Sequence, residues 1–304
     1  MKIRNFIQDN FLIDHHETSA LVPFRFRDVQ NKYYDQLCTD YSEVDNFEGA
    51  REIDLKARKE GFTSMWLGMF SAIGILSNDP VRFLEISYKD DATLQHYRRA
   101  KVYVASYFAR KELGDDIPNI KKLIYDKTFL KKIFYSENEG QEFVLNHNGF
   151  SFYVGTASTR TGERGGTVKG ILFTESAHFP DAGGKISANE IIEGTQNMVA
   201  VGTGIIVHES TANGFNHFKT RWNQAELGQI NYKNRFFGWR EFYTPEQFEM
   251  IKSGFSDKSK IPQEYPETAE EAFLHSGSPY FEVNAMKFYM DHIGEQIKED
   301  IIYA

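Results

Sequence analysis

Short stretches in which polar and apolar residues alternate are separated along this chain by longer stretches rich in apolar residues. Alternation with a period of two is typical of strands, whereas the longer apolar or amphipathic stretches indicate helices. The predicted strands are 52–55, 81–87, 141–145, 151–154, 170–173 and 204–208. The predicted helices are 65–73, 90–113 and 188–199. Because strands alternate with helices, we expect an α/β fold with a central, mostly parallel sheet flanked by helices.

The pattern also bears on how the chain is organised. Asn148-Gly149 is a strong hairpin signal between two of the predicted strands. After Trp239 the chain changes to short helices and turns, which predicts a small C-terminal subdomain. With 304 residues the chain exceeds the usual size of a single core. We therefore expect a core in residues 1–240 and a lid or linker subdomain in residues 241–304.

Composition narrows the class of protein. A hydrophobic fraction of 41% and an aromatic fraction of 15% are ample for a packed interior, so disorder is not expected. Cys38 is the single cysteine, and the sequence shows neither a signal-peptide core nor an apolar run of membrane-spanning length. A reducing cytoplasm is the expected compartment. The net charge of -8 argues against a broad nucleic-acid-coating surface but allows a local basic patch.

A short basic stretch between a predicted strand and a predicted helix is the most informative part of the sequence. It consists of Lys56, Ala57, Arg58, Lys59, Glu60, Gly61, Phe62, Thr63 and Ser64. A strand-loop-helix turn presents unpaired N–H groups to an anion, as in the phosphate-loop pattern G-x-x-x-x-G-K-[ST]. Gly61 and Thr63 are in register with that pattern, but Lys56 replaces its first glycine and Phe62 its lysine. The stretch is either a deviant phosphate loop or a basic turn at a helix N-terminus.

The predicted strand 170–173 is followed by Thr174 and Glu175. Nucleotide hydrolysis needs a carboxylate at the end of a strand near the phosphate loop, where it orients or deprotonates water. The common arrangement has two acids, of which the first supports Mg²⁺ through water, and Thr174 stands in that first position. Glu175 is therefore a candidate catalytic carboxylate, with Thr174 as an altered metal-side residue whose hydroxyl can bond a metal-bound water. The alternative is a buried strand whose acid caps the following turn.

A polar, glycine-rich loop at 157–167 carries Arg160 and Arg164. In phosphoryl transfer a cation supplied by a neighbouring subunit can stabilise the transition state, and a mobile loop can extend such a cation. A solvated loop arginine is the alternative for each of them.

Other polar positions flank the predicted sheet. Ser210 and Thr211 follow strand 204–208, where they can sense a γ-phosphate or cap the helix that begins near Asn216. Gln30, near the start of the chain, can pair with the donor and acceptor edge of adenine.

Taken in order, these motifs resemble the ATPase domain of large terminase subunits, the DNA-packaging motors of tailed bacteriophages. The resemblance lies in five segments, which are Gln30, 56–64, the strand ending at Glu175, 210–214, and 265–273 with 276–277. Each segment is modest alone, but their common order over nearly the whole chain is specific. The resemblance implies a P-loop NTPase of the ASCE type with a small C-terminal lid subdomain.

The resemblance assigns a role to each residue of the nucleotide site. It implies ATP and Mg²⁺ as ligands. Lys56, at the front of the loop, becomes the main phosphate-binding cation, with Arg58 and Lys59 in support. Thr63 is placed on the metal, and the adenine lies near Gln30. Since the loop begins with its functional lysine, the aromatic residue in the usual lysine position becomes structural.

It likewise implies who catalyses and who couples. Glu175 orients the attacking water. Arg164 is the first choice and Arg160 the second for a cation from the adjacent subunit. Ser210 and Thr211 transmit loss of the γ-phosphate to the C-terminal subdomain and so to DNA.

The resemblance also implies partners and a setting. Subunits assemble as a homo-oligomeric ring on the portal protein of a procapsid, in the host cytoplasm, together with a small terminase subunit. An isolated domain is expected to be a monomer. Double-stranded DNA is contacted through its phosphates without base readout. Nothing after Phe281 resembles the nuclease that usually follows, so we expect a fragment that carries the motor alone.

Two other classes of function remain open from the sequence. A nucleic-acid helicase or remodelling ATPase would share the loop and Glu175. A non-hydrolysing nucleotide-binding module is the other class, and it is favoured by Phe62 and Thr174, the two departures from the usual motifs.

Overall fold

The computed structural model describes residues 2–15, 18, 20–138, 140–157, 166–180, 186–274, 288 and 292. The strands in this part of the chain are β1 (Leu12–Asp14), β2 (Leu21–Pro23), β3 (Arg51–Lys56), β4 (Arg82–Ser87), β5 (Phe134–Asn138), β6 (Glu142–Leu145), β7 (Ser151–Thr156), β8 (Gly170–Thr174), β9 (Ile205–Ser210) and β10 (Lys233–Phe237). The α-helices are α1 (Ile3–Asn10), α2 (Asp28–Asp40), α3 (Phe62–Leu76), α4 (Asp90–Leu113), α5 (Ile117–Leu123), α6 (Lys127–Ile133), α7 (Ala188–Gln196), α8 (His217–Glu226), α9 (Pro245–Ser253), α10 (Ile261–Glu264) and α11 (Ala269–Leu274).

Eight strands form one central sheet in the order β10-β3-β9-β8-β4-β7-β6-β5. The strands from β10 to β7 are parallel, and only β6 and the edge strand β5 pair in antiparallel fashion. The carboxyl ends of the parallel strands therefore meet at one edge, where ligands bind in open α/β sheets. The predicted α/β fold with a mostly parallel sheet is confirmed.

Helices cover both faces of the sheet because successive side chains of a strand point to opposite faces. Phe83 and Leu172 belong to the large cluster that includes residues of α1 to α4. Their chain neighbours Leu84 and Ile171 belong instead to a second cluster, which includes residues of α7. With both faces buried, the central strands are apolar along most of their length.

Helix α3 anchors the loop that precedes it. All but two of its residues are buried, as expected for a helix that is apolar all round. The ring of Phe62, its first residue, lies with its centroid 5.3 Å from that of Tyr33 and 4.5 Å from that of Phe237. Phe62 is thus a core residue that fixes where α3 begins.

The predicted elements are all present, with shifted ends. The helix predicted at 65–73 is three residues longer at each end, and the hairpin at Asn148-Gly149 joins β6 to β7. Gln30 lies within the first turn of α2, whereas the sequence pattern placed it just before a helix. No helix in the described ranges combines the length and apolarity that crossing a bilayer requires.

The segment after Trp239 packs around a small cluster of its own. Phe248, Ile261 and Tyr265 pack with Trp239 and with Ala57 of the basic loop. A boundary at residue 240 stays a prediction, but this cluster brings the C-terminal helices into contact with the loop.

Candidate nucleotide-binding site

Lys56 ends β3 and is 5% exposed. Its Nζ lies 2.9 Å from Oε1 of Glu175 and 3.3 Å from Oε2 of Glu209. Burial lowers the pKa of a lysine, but the attraction of the two carboxylates outweighs it and raises the pKa of Lys56 above its usual value. The first residue of the basic loop is therefore a charged cation held between two acids.

Glu175 turns the chain just after β8. Its φ of 50° lies in the left-handed region, which is uncommon for a residue other than glycine. Its Oε2 accepts hydrogen bonds from the Thr211 N–H at 3.2 Å and from the Thr211 hydroxyl at 3.3 Å. Burial raises the pKa of Glu175, but the charge and hydrogen bond of Lys56 outweigh burial and bring it to about 2. While this pair persists, Glu175 is ionised but a weak base.

Glu209 is a site residue that sequence reasoning missed. It lies on β9, between β3 and β8, and is fully buried. Its Oε1 accepts a hydrogen bond from the Thr63 hydroxyl, and its Oε2 has the Lys56 ion pair but no hydrogen bond. Burial raises the pKa of Glu209. The available signal was an acid ending an apolar strand, the same pattern that singled out Glu175.

Thr63 and Glu209 fit a Mg²⁺ ion that arrives with a nucleotide. A hydroxyl and a carboxylate oxygen are hard ligands that Mg²⁺ takes, usually with one or two carboxylates and with phosphates and water completing its shell. The Oε2 atom of Glu209, which accepts no hydrogen bond, has capacity for such a ligand. The described residues contain no cluster of three or more His, Cys, Asp or Glu side chains that would form a protein-only cage.

Thr174 differs from its expected metal-side position. It is fully buried, and its hydroxyl donates a hydrogen bond to Oε1 of Glu85 at 2.6 Å. Oε1 of Glu85 is also 2.9 Å from Nδ1 of His96. The Thr174 proton is therefore committed to a buried carboxylate on β4, and its contacts do not support a role in holding a metal-bound water.

Gln30 holds the loop. Its Nε2 donates to the Gly61 carbonyl at 2.8 Å, and its Oε1 accepts from the Arg27 N–H at 2.9 Å. Gly61 has a φ of 82°, and a Cβ there would lie 2.9 Å from Nε2 of Gln30. Glycine is thus required by both conformation and space. Contact between Gln30 and adenine stays a prediction.

The remaining residues of the loop differ sharply in environment. Arg58 is exposed and pairs with Glu264 at 3.2 Å, whereas Lys59 is exposed with a left-handed φ of 64°. Glu60 is fully buried, and neither of its carboxylate oxygens has a hydrogen-bond partner. Burial raises the pKa of Glu60 well above its usual value. Ser64 lies in the first turn of α3, where its side chain is buried.

The end of β9 contacts both the Glu175 turn and the C-terminal helices. The Ser210 hydroxyl accepts from the Ala177 N–H at 3.1 Å, and the Thr211 hydroxyl lies 3.0 Å from Nε2 of His178. One residue further, the Ala212 carbonyl accepts from Gln263 of α10 at 3.2 Å. Movement at Ser210 or Thr211 would therefore be felt on both sides.

The structure thus brings together most of the residues predicted from the sequence. Lys56, Thr63, Glu175 and Thr211 converge at the carboxyl edge of the sheet, and Glu209 joins them. Arg160 and Arg164 lie outside the described residues, so their roles stay predictions.

Comparisons with known proteins come from structure. No protein-family profile matches the sequence, and no curated protein is significantly similar to it. The large terminase of bacteriophage HK97 aligns over 96% of this chain and 52% of its own, with a TM-score of 0.51 at 10% identity. The large terminase ATPase domain of Thermus phage P74-26 aligns over 80% of this chain and 98% of its own, with a TM-score of 0.47 at 13% identity. The large terminase of another thermophilic bacteriophage, in complex with ATP-γ-S, aligns over 79% of this chain and 52% of its own, with a TM-score of 0.48 at 13% identity.

Identities this low speak to the fold alone, and the HK97 alignment carries that conclusion. This chain spans about half the length of the HK97 protein, at 52%. The resemblance to large terminases that the ordered motifs predict is confirmed at the level of the fold, which this chain shares with the HK97 large terminase.

Proposed function

We propose that this chain is the ATPase motor domain of a viral genome-packaging terminase, which hydrolyses ATP to move double-stranded DNA into a procapsid. The observation that carries the proposal is the convergence of Lys56, Thr63, Glu175 and Glu209 beside the loop that begins α3. A cation, a hydroxyl and two carboxylates at a helix N-terminus are suited to bind a triphosphate and activate water. The shared fold supports the proposal.

The Lys56–Glu175 ion pair suggests how binding readies the site. The phosphates of ATP compete with Glu175 for the ammonium group of Lys56. When that competition succeeds, Glu175 loses the contact that depresses its pKa and becomes a better base. Glu175 is 28% exposed, so water reaches it, and its Oε2 stays fixed by Thr211. In this proposal Glu175 orients water for in-line attack on the γ-phosphate.

The remaining residues support the nucleotide. Bound Mg²⁺ supplies neutralisation of charge on the β- and γ-phosphate oxygens. Thr63 and Glu209 would hold it. Gln30 keeps Gly61 in its left-handed conformation, which shapes the loop, and we place adenine near Gln30. Arg58 and Lys59 are exposed cations at the rim of the loop.

The motor needs a path from hydrolysis to DNA. We assign coupling to Ser210 and Thr211, because the end of β9 touches both the Glu175 turn and, through Ala212, helix α10. An adjacent subunit in a homo-oligomeric ring would supply Arg164, or else Arg160. The ring would act in the host cytoplasm on the portal protein of a procapsid, with a small terminase subunit, and would contact the phosphates of DNA.

Phosphate release by the purified chain at high concentration, measured beside equilibrium binding of a fluorescent ATP analogue, tests the proposal. We expect wild type to bind and hydrolyse, and Glu175→Gln to bind but to release phosphate at least about 100-fold more slowly. The matched control is Glu249→Gln, which removes an exposed carboxylate on α9.

Three results would overturn the proposal in different ways. Absence of ATP binding removes the enzymatic function altogether. Binding without phosphate release, even at high concentration, favours a non-hydrolysing module. Hydrolysis accompanied by strand displacement on a forked duplex favours a helicase.

A further inference from the structure

A cleft of about 900 Å³ lies between α4, α6 and β5, at the opposite end of the sheet from β10. It is set in a basic region of an acidic chain. Residues 95–135 contain ten Lys and Arg against four Asp and Glu, although the whole chain has a net charge of -8. The local excess of cations therefore stands out from the rest of the surface.

The cations that line the cleft are mostly unneutralised. Lys101 forms an ion pair with Glu137. The others are Arg98, Arg99, Lys127 and Lys131, and none of these four forms an ion pair within the described residues. Asp14 is the only other acid among the lining residues in the described part of the chain. A cleft with several unpaired cations attracts a polyanion.

Two exposed aromatic rings line the same cleft. Tyr125 is 61% exposed and Tyr135 is 80% exposed. Neither ring stacks on another aromatic ring within the described residues. Large exposed rings beside cations are the pairing that proteins use to bind single-stranded nucleic acid, because bases stack on the rings while the cations follow the phosphates.

We propose that this cleft binds a single-stranded segment of nucleic acid. Arg98, Arg99, Lys127 and Lys131 would contact successive phosphates, and Tyr125 and Tyr135 would stack on unpaired bases. A duplex hides the faces of its bases, so it would leave both tyrosines without a function. The site is separate from the ATP site and from duplex translocation, since none of its residues lies on the loop 56–64 or on β8 or β9.

Fluorescence anisotropy with labelled single strands tests the proposal on the full chain. The probes are 12-nucleotide oligo-dT and oligo-rU, beside a duplex of 12 base pairs. We expect both single strands to bind more tightly than the duplex, and the two sugars together show whether DNA or RNA is preferred. Four phosphate contacts to a single strand predict a slope of log K against log salt of about -3.

Matched variants separate the cleft from general charge. Lys127→Gln with Lys131→Gln removes two lining cations, whereas Lys122→Gln with Lys132→Gln removes two exposed cations from the neighbouring helices α5 and α6 outside the cleft. We expect the first pair to weaken oligo-dT binding about tenfold and to make the slope shallower by about 1.4. The second pair should change either quantity little.

The tyrosine variants test stacking. Tyr135→Leu should weaken single-strand binding about tenfold, and Tyr135→Phe should restore it, because phenylalanine retains the stacking face. Tyr135 is exposed in wild type, so folding is not at issue. Equal weakening by the two lysine pairs, or duplex binding as tight as single-strand binding with no effect of Tyr135→Leu, overturns the proposal. Lys56→Met should bind oligo-dT like wild type, which makes this test independent of the ATPase.

Discussion

The ammonium group of Lys56 and the carboxylate of Glu175 form a 2.9 Å ion pair that joins the ends of β3 and β8. The same ammonium lies 3.3 Å from Glu209, on the strand between them. One buried cation thus neutralises two acids at the loop. Because the phosphates of a nucleotide would claim the same cation, the pair links the resting charge balance to the proposed chemistry.

Replacing Lys56 by Met should therefore affect both stability and binding. The substitution leaves two largely buried carboxylates without their cation, so we expect the free energy of unfolding to fall by about 3 kcal/mol. ATP affinity should fall below detection in a fluorescent-analogue titration. Lys59→Met, which removes an exposed cation three residues further on, should leave denaturant unfolding unchanged. Wild-type ATP affinity in Lys56→Met would contradict the assignment of Lys56.

Restoring the usual acid at position 174 should harm the protein. The Thr174 hydroxyl donates to Glu85 at 2.6 Å in a fully buried setting, so Thr174→Asp places a second carboxylate against the first. We expect a loss of about 3 kcal/mol in urea unfolding, because a buried charge gains no partner there. Thr174→Ser keeps the donor and should cost about 1 kcal/mol or less. Faster hydrolysis by a stable Thr174→Asp protein would show instead that the position serves the metal.

Removing the charge of Glu209 separates metal from phosphate binding. With Mg²⁺ present, Glu209→Gln should weaken ATP binding at least about tenfold, since a carboxylate is a stronger Mg²⁺ ligand than an amide. With EDTA the variant should bind as tightly as wild type or more tightly, because a negative charge has left the phosphate site. Isothermal titration with and without Mg²⁺ measures both affinities. An equal loss in both conditions would indicate a structural role only.

Local pattern was enough to predict much of the fold. Strand β4 and helix α4 follow from alternation and from acids in the first turn, and both are found within a residue of the predicted bounds. The basic loop was recognisable because its charge, its glycine and its position before an apolar helix are contiguous. Phe62 follows the same logic, since an apolar residue opening a buried helix packs inward.

Elements and contacts that depend on distant residues were not predictable. Strand β10 lacks alternation and is held at the sheet edge by pairing with β3, where Arg235 meets Glu52. The metal-side role once expected of Thr174 failed because Glu85, remote in sequence, takes its proton. Glu209 carried the right local signal, but only the strand order shows that it lies between β3 and β8.

Glu60 supplies a pH-dependent prediction with a definite sign. It is fully buried inside the loop, and both its oxygens lack hydrogen-bond partners. Burial raises its pKa well above the usual value, partly offset by Lys56. Between the unfolded pKa of about 4.3 and the higher folded pKa, the native state holds more protons than the unfolded state. Wild-type stability is therefore lost as pH rises through that window.

Glu60→Gln removes this titration while keeping shape and volume. The variant should match wild type near pH 4, since both side chains are then neutral. Above that pH the variant should become the more stable protein, by up to about 1.4 kcal/mol for each pH unit within the window. Urea unfolding across pH 4 to 8 measures the difference, with Glu249→Gln as an exposed control expected to stay flat. A difference that shrinks as pH rises would mean that the ionised carboxylate of Glu60 is stabilised in the folded loop, and would contradict its placement in an unpaired, buried position.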